Sequence, residues 1–217
     1  MSEHHIYPVQ PEIARHAHID AETYQRLYQQ SIQEPAQFWA EQAQSFLDWQ
    51  QPWQQVMQCD FGQGEIHWFK GGKLNVSHNC LDRHLATRGD QVAIIWEGDN
   101  PTYDRTMTYR ELHRQVCKFA NVLISQGVKK GDRVCIYLPM ILEAAVAILA
   151  CARIGAIHSI VFGGFSADAL RDRILDADCH FLICVDQSYR GGKIVPTKVN
   201  VDKAAAQCPN LDRKSVV

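Results

Sequence analysis

The sequence is short of the pairs and runs that mark the more easily read protein classes. Its eight cysteines are scattered from Cys59 to Cys208 without a C-x-x-C pair, which removes the common zinc and dithiol patterns. Several stand inside apolar runs, Cys135 in RVCIYL and Cys184 in FLICV, where cysteine packs as a small hydrophobe. They are read as reduced and structural, in a cytoplasmic protein. Neither sign of charge dominates: 22 Lys and Arg stand against 24 Asp and Glu. No global field draws the chain to nucleic acid or to an anionic membrane, so any anion site has to be local. The longest apolar run, AAVAILACA at 144–152, is too short to span a bilayer. The start, MSEHHIYPVQPEIARHAHID, sets no apolar segment behind a basic one, so no secretory signal is read there. Catalytic signatures are equally scarce. No G-x-x-x-x-G-K-[ST] loop occurs, and no Ser/His/Asp or Cys/His set can be assigned from spacing. His16 and His18 have no third ligand nearby, and Cys179, His180 and Cys184 fall in or beside an apolar strand.

What is present is ordinary for a globular chain of 217 residues, 46% hydrophobic and 21% charged, which can bury a core. The texture changes along it. Residues 1–72 are rich in Gln, Trp and His and carry two amphipathic stretches, 21–31 and 35–48, then a strand-like EIHWF. Pro35 suits the first turn of the second helix. Trp39, Phe46, Trp49 and Trp53 recur at near-helical spacing, which predicts packing.

From residue 73 onward the pattern is regular. NCLDRHLATRG reads as a helix ended by Gly89, and VAIIWEG as a strand ended by Gly98. Thr108 and Glu111 form a capping box opening a helix that Gly127 closes. GDRVCIYL predicts a strand, 141–153 a helix closed by Gly155, IHSIVF a strand and 166–177 a helix capped by Ser166. HFLICV predicts another strand, 201–207 a helix, and KSVV the start of one more strand. Strands alternating with helices imply a parallel sheet covered on both faces. A chain stopping on entry to a buried strand reads as cut.

Ligands of open α/β sheets bind beyond the carboxyl ends of the strands, where two loops stand out. FGGFSAD at 162–168 sets Gly163 and Gly164 between a strand and a helix start. Those glycines either satisfy a positive φ or admit a ligand close to the backbone. A dinucleotide fingerprint fails there, because Phe165 and Asp168 occupy positions that need glycine. The second loop, DQSYRGGKIVPTK at 186–198, places Gly191 and Gly192 between Arg190 and Lys193. It is either a solvated turn or an anion cradle, with a planar guanidinium fork, a compact ammonium charge and exposed N–H groups.

The segments FWAEQAQSFLDW, NVSHNCLDRHL, TYRELHRQVCKFANVL, GDRVCIYLPMILEAAVAILACARIGAIHSIVFGGFSADALRDRI and YRGGKIVPTK, in that order, closely resemble the acetyl-coenzyme A synthetase family of AMP-forming acetate–CoA ligases. The likeness runs over essentially all 217 residues. It implies the α/β architecture of the large N-terminal domain of the adenylate-forming fold, after a helical N-terminal layer at 1–72. It also implies that 73–217 is the first α/β subdomain, truncated at its C-terminal end.

The reaction implied has two steps. Acetate and MgATP give acetyl-adenylate and pyrophosphate, and the CoA thiol then displaces AMP. In that family an R-[GA]-G-[KR] loop contacts the nucleotide end of CoA, which carries over to Arg190, Gly191, Gly192 and Lys193. The second glycine of GGFS lines the pantetheine tunnel and maps onto Gly164. The phosphate loop, the adenine and acetate pockets, the hinge and the adenylation lysine of the family have no counterpart here. The resemblance therefore implies no catalytic residue and no metal ligand in this chain. It implies a partner in the remaining two thirds of the same enzyme, and an isolated chain without activity. A propionate or other short-chain synthetase and a truncated CoA-binding module are the alternatives left open.

Overall fold

In the computed structural model, which describes residues 7–211 and the backbone of 213–216, the chain divides between Lys73 and Leu74 into two units. The sequence readings that fall on residues 1–6 and on Val217 lie outside the described residues. The N-terminal unit holds helices α1 (Pro11–His16), α2 (Ala21–Gln33) and α3 (Pro35–Phe46). An antiparallel hairpin follows, β1 (Gln55–Asp60) with β2 (Glu65–Lys70). Asp20 caps α2 by accepting from the Thr23 N–H at 2.8 Å, and Gln30 reaches from α2 to Glu41 on α3 at 2.9 Å. The tryptophans pack largely as their spacing predicts. Trp49 meets Trp53 edge to face at 4.9 Å between centroids, Phe69 lies 5.4 Å from Trp49, and Trp39 meets Trp68 at 6.0 Å. Phe46 is largely exposed in this unit.

The second unit opens with a short helix α4 (Val76–Cys80), a 3₁₀ turn (Asp82–His84) and α5 (Leu85–Arg88). The single helix expected over 79–89 is therefore broken. Leu81, buried to 1% exposure, leaves helical geometry at φ −125°. Strands β3 (Val92–Glu97) and β4 (Asp104–Thr108) form a separate antiparallel hairpin. The strand read in VAIIWEG exists, but it is not part of the parallel sheet, and its partner β4 was not foreseen. The capping box of α6 (Tyr109–Ser125) is made in both directions between Thr108 and Glu111.

The parallel sheet comprises β5 (Arg133–Leu138), β6 (Ile157–Phe162), β7 (Phe181–Cys184) and β10 (Arg213–Val216), in the order β10-β7-β5-β6. Between them run α7 (Leu142–Ile154), ended by Gly155 in the left-handed region, and α8 (Ala167–Asp176), capped by Ser166. The hairpin β8 (Ser188–Arg190) with β9 (Lys193–Val195) and helix α9 (Thr197–Ala205) follow β7. Helix α9 starts four residues before the 201 expected for it, and the hairpin was read only as a loop.

The two-residue period of β5 explains why both faces are covered. Val134, Ile136 and Leu138 point to one side, into a core with Val116, Ala147 and Ile183. Cys135 and Tyr137 point to the other, into a core with Leu170, Ile174 and Val201. Helices α6 and α7 thus cover one face, and α8 and α9 the opposite one. Each fully buried Val, Ile or Leu here contributes about 1.5–3 kcal/mol. In chain order the four strands lie 2-1-3-4 across the sheet, so the direction of winding reverses between β5 and β7. Ligands of such sheets settle at that reversal, beyond the carboxyl ends of the strands.

Candidate functional site

The loops after β5, β6 and β7 meet at that carboxyl edge. Two of them carry the residues singled out from the sequence. After β6, neither Gly163 nor Gly164 has a positive φ, so the reading in which the turn needs left-handed glycines is corrected. What they provide is space. A Cβ on Gly163 would stand 3.1 Å from the Leu138 carbonyl oxygen and 3.2 Å from the Pro139 nitrogen, where the chain leaves β5. A Cβ on Gly164 would stand 2.7 Å from both Arg190 Nη1 and Phe162 Cε1. The loop is held from below by Tyr137, whose hydroxyl donates to the Phe165 carbonyl at 2.7 Å. Phe162 and Phe165 then meet edge to face at 5.8 Å.

After β7, the R-G-G-K segment is the tip of the β8–β9 hairpin. Gly191 and Gly192 have φ of 58° and 72°, as both central positions of a two-residue type I′ turn require. Arg190 pairs directly with Lys193 across the ladder, which sends both side chains to the same face of the hairpin. The Arg190 guanidinium lies over the Phe162 ring at 5.4 Å, a cation–π contact that turns it toward the Gly164 loop. The base of the hairpin is fixed by buried hydroxyls, Ser188 Oγ lying 3.2 Å from Thr197 Oγ1 at the start of α9. The Lys198 N–H also donates to the Asp186 carbonyl at 2.9 Å.

The structure thus brings Gly164 and Arg190 together and sets Lys193 beside Arg190. It also adds a residue that sequence reasoning missed. The Gly191 and Gly192 N–H groups, expected to stand open as part of a cradle, donate to the two carboxylate oxygens of Asp99, each at 2.7 Å. Asp99 comes from the β3–β4 turn, just beyond the Gly98 read as a strand end, and 92 residues separate it from Gly191. No local spacing signals such a pairing.

Titratable groups elsewhere in this unit serve packing. Asp82 accepts from Arg153 Nη1 and Nη2, at 2.8 and 2.7 Å, and lies 3.3 Å from His113 Nε2. The Arg153 hydrogen bonds hold the Asp82 carboxyl below its ordinary pKa. Burial pushes the Cys135 and Cys151 thiols up to about 12, which keeps them protonated and poor nucleophiles. All eight cysteines are free thiols. Among the described residues no group of three or more His, Cys, Asp or Glu is arranged to hold a metal, and no helix is long and apolar enough to cross a membrane. A hollow of about 270 Å³ between β4, α6 and α7, lined by Arg105, Lys118 and Phe119 among others, includes none of the candidate residues.

A glycine-containing loop and a basic hairpin thus meet at the strand reversal of a doubly covered parallel sheet, the place where folds of this class bind their ligands. The chain belongs to the AMP-binding enzyme family, whose profile matches residues 81–217. Residues 24–80 match the profile described as acetyl-coenzyme A synthetase N-terminus. Over all 217 residues the chain is 57% identical to acetyl-coenzyme A synthetase 2 of Pseudomonas aeruginosa and 60% identical to the acetyl-coenzyme A synthetase of Magnetococcus marinus. It spans 34% of the length of each. Among solved structures, an acetoacetyl-CoA synthetase from Streptomyces lividans superposes on 94% of this chain and 32% of its own, with a TM-score of 0.80 at 30% identity. The α/β architecture with its helical N-terminal part is therefore that of the adenylate-forming fold.

Proposed function

We propose that this chain is the N-terminal portion of an AMP-forming acetate–CoA ligase and carries part of its CoA site. In the complete reaction an acetate oxygen attacks the α-phosphorus of MgATP and pyrophosphate leaves. The CoA sulfur, as thiolate, then attacks the acyl carbon of the adenylate, and the bond to AMP breaks. The observation that carries the reading is identity of 57–60% along the whole chain to acetyl-coenzyme A synthetases.

The geometry supports a division of labour in the second step. Arg190 offers a planar fork to a phosphate and Lys193 a point charge beside it, while Gly164, with no side chain, leaves room for Arg190 and Phe162 to stack against its loop, beside which the pantetheine arm would pass. The Arg190 guanidinium stacked on Phe162 joins the two loops, so one ligand can touch both. ATP, acetate and the magnesium ion would be held chiefly by the other two thirds of the enzyme, a cytoplasmic protein in this reading.

The test uses the full-length protein. Acetate should be turned over to acetyl-CoA with a higher kcat/KM than propionate, and replacing Arg190 and Lys193 together by Ala should raise the KM for CoA well above any change in that for ATP. A preference for propionate would move the protein to a neighbouring synthetase, and unchanged CoA kinetics would remove the CoA-site assignment. The 217-residue chain by itself is expected to form neither acetyl-adenylate nor acetyl-CoA.

A further inference from the structure

The tip of the β8–β9 hairpin presents two successive N–H groups in a type I′ turn, a concavity of the kind that binds anions. An anion from the protein itself already occupies it. The Asp99 carboxylate accepts from Gly191 N–H and Gly192 N–H at 2.7 Å each, one oxygen per donor. Both bonds are short and charge-assisted, the stronger class of backbone contact.

The turn that delivers Asp99 is itself braced. The Gly98 N–H donates to the Tyr103 carbonyl at 2.7 Å, and the Asn100 side chain accepts from the Thr102 N–H at 3.0 Å. One turn back, Trp96 Nε1 donates to the Met140 carbonyl at 2.6 Å, in the loop after β5. The β3–β4 hairpin thus touches the loop after β5 with Trp96 and the loop after β7 with Asp99, spanning the reversal point of the sheet.

A hairpin of two three-residue strands is marginal by itself. The Ser188–Thr197 contact fixes only its base. Its tip, where Arg190 and Lys193 sit, is fixed by Asp99. We propose that Asp99 is a positioning residue of the CoA site: its carboxylate latches the turn, keeps Arg190 and Lys193 in register, and leaves phosphate recognition to those two side chains rather than to the backbone N–H groups. The inference rests on the assignment of this hairpin to CoA binding.

The experiment compares Asp99→Ala, Asp99→Asn, Arg190→Ala and the Asp99→Ala/Arg190→Ala double variant in the full-length enzyme. It measures KM for CoA beside acetate-dependent ATP–pyrophosphate exchange, which does not use CoA. Asp99→Ala should raise the KM for CoA about tenfold, the scale of one charge-assisted hydrogen bond, since the latch acts on CoA only through Arg190 and Lys193. Exchange should stay within about twofold of the unsubstituted enzyme. Asp99→Asn, which keeps one acceptor oxygen, should fall between. The double variant should show less than the product of the two single effects, since the latch acts partly through Arg190.

Should Asp99→Ala fail to fold, the near-isosteric Asp99→Asn carries the same comparison. If Arg190→Ala raises the KM for CoA while neither Asp99 variant does, the latch is wrong and the CoA reading survives. If neither position matters, the CoA reading falls and takes the latch with it. A lower KM for CoA in Asp99→Ala would also overturn the proposal, because the carboxylate would then be a competitor of the phosphate.

Discussion

At the residue scale the candidate site is governed by space and by single contacts. Gly163 is confined by backbone atoms of Leu138 and Pro139, which cannot move without disturbing β5. Gly163→Ala is therefore expected to destabilise the fold by about 1–3 kcal/mol, read from urea unfolding. Gly164 is confined partly by the far end of Arg190, a flexible group. Gly164→Ala should displace both the guanidinium and the exposed Phe162 ring, and slow thioester formation in the full-length enzyme while pyrophosphate exchange is preserved. Equal loss of both half-reactions would mean a folding defect. Thiol chemistry gives a third check. With Cys135 and Cys151 pushed up to about 12 by burial and Cys80 exposed, Cys80 should react with a disulfide reagent under native conditions and the other two only on unfolding. The sequence showed which glycines to examine but not why they are glycines, because the reason is a neighbour from another strand.

At the element scale, local signals were read correctly wherever the cause was local. The α6 capping box lies within four consecutive residues and is made as written, so Thr108→Ala should cost about 1 kcal/mol. The broken helix at 76–88 shows the opposite case. Its sequence is compatible with one continuous helix, yet Leu81 is drawn into the core and Asp82 toward Arg153 of α7. Those contacts outweigh helix propensity, which amounts to only tenths of a kcal/mol per residue. The Asp82–Arg153 pair has a pH signature. Since the folded-state pKa of Asp82 lies below that of the unfolded chain, its stabilisation is complete above the unfolded carboxylate pKa, near 3.9, and is lost as pH falls through the folded value. The stability gap between the unsubstituted chain and Asp82→Asn should be present at about pH 5 and shrink as the pH falls toward 3. The early start of α9 has a similar cause. Thr197, Val199 and Val201 are β-branched and weaken a helical reading, but Thr197 is buried against Ser188 of the hairpin.

At the scale of the whole molecule, the chain spans about a third of the curated relatives it matches. Strand β6 lies at one edge of the described sheet, and Ile157, Ile160 and Phe162 on it are exposed. Apolar edge strands template association. The isolated 217-residue chain is expected to self-associate as its concentration rises, and Ile160→Lys to reduce that association, as sedimentation velocity would show. The sequence by itself determined the α/β class, the helical character of the N-terminal part, most element positions and the two loops worth testing. Each of these follows from the two- and 3.6-residue periods and from capping or turn residues close together in the chain. Only the tertiary structure decided that the R-G-G-K loop is a hairpin whose N–H groups are filled by Asp99, that Gly164 adjoins Arg190, and that β3 and β4 stand apart from the parallel sheet. Those facts depend on which strand pairs with which and in what register, and such contacts join residues up to 93 positions apart that no local pattern connects.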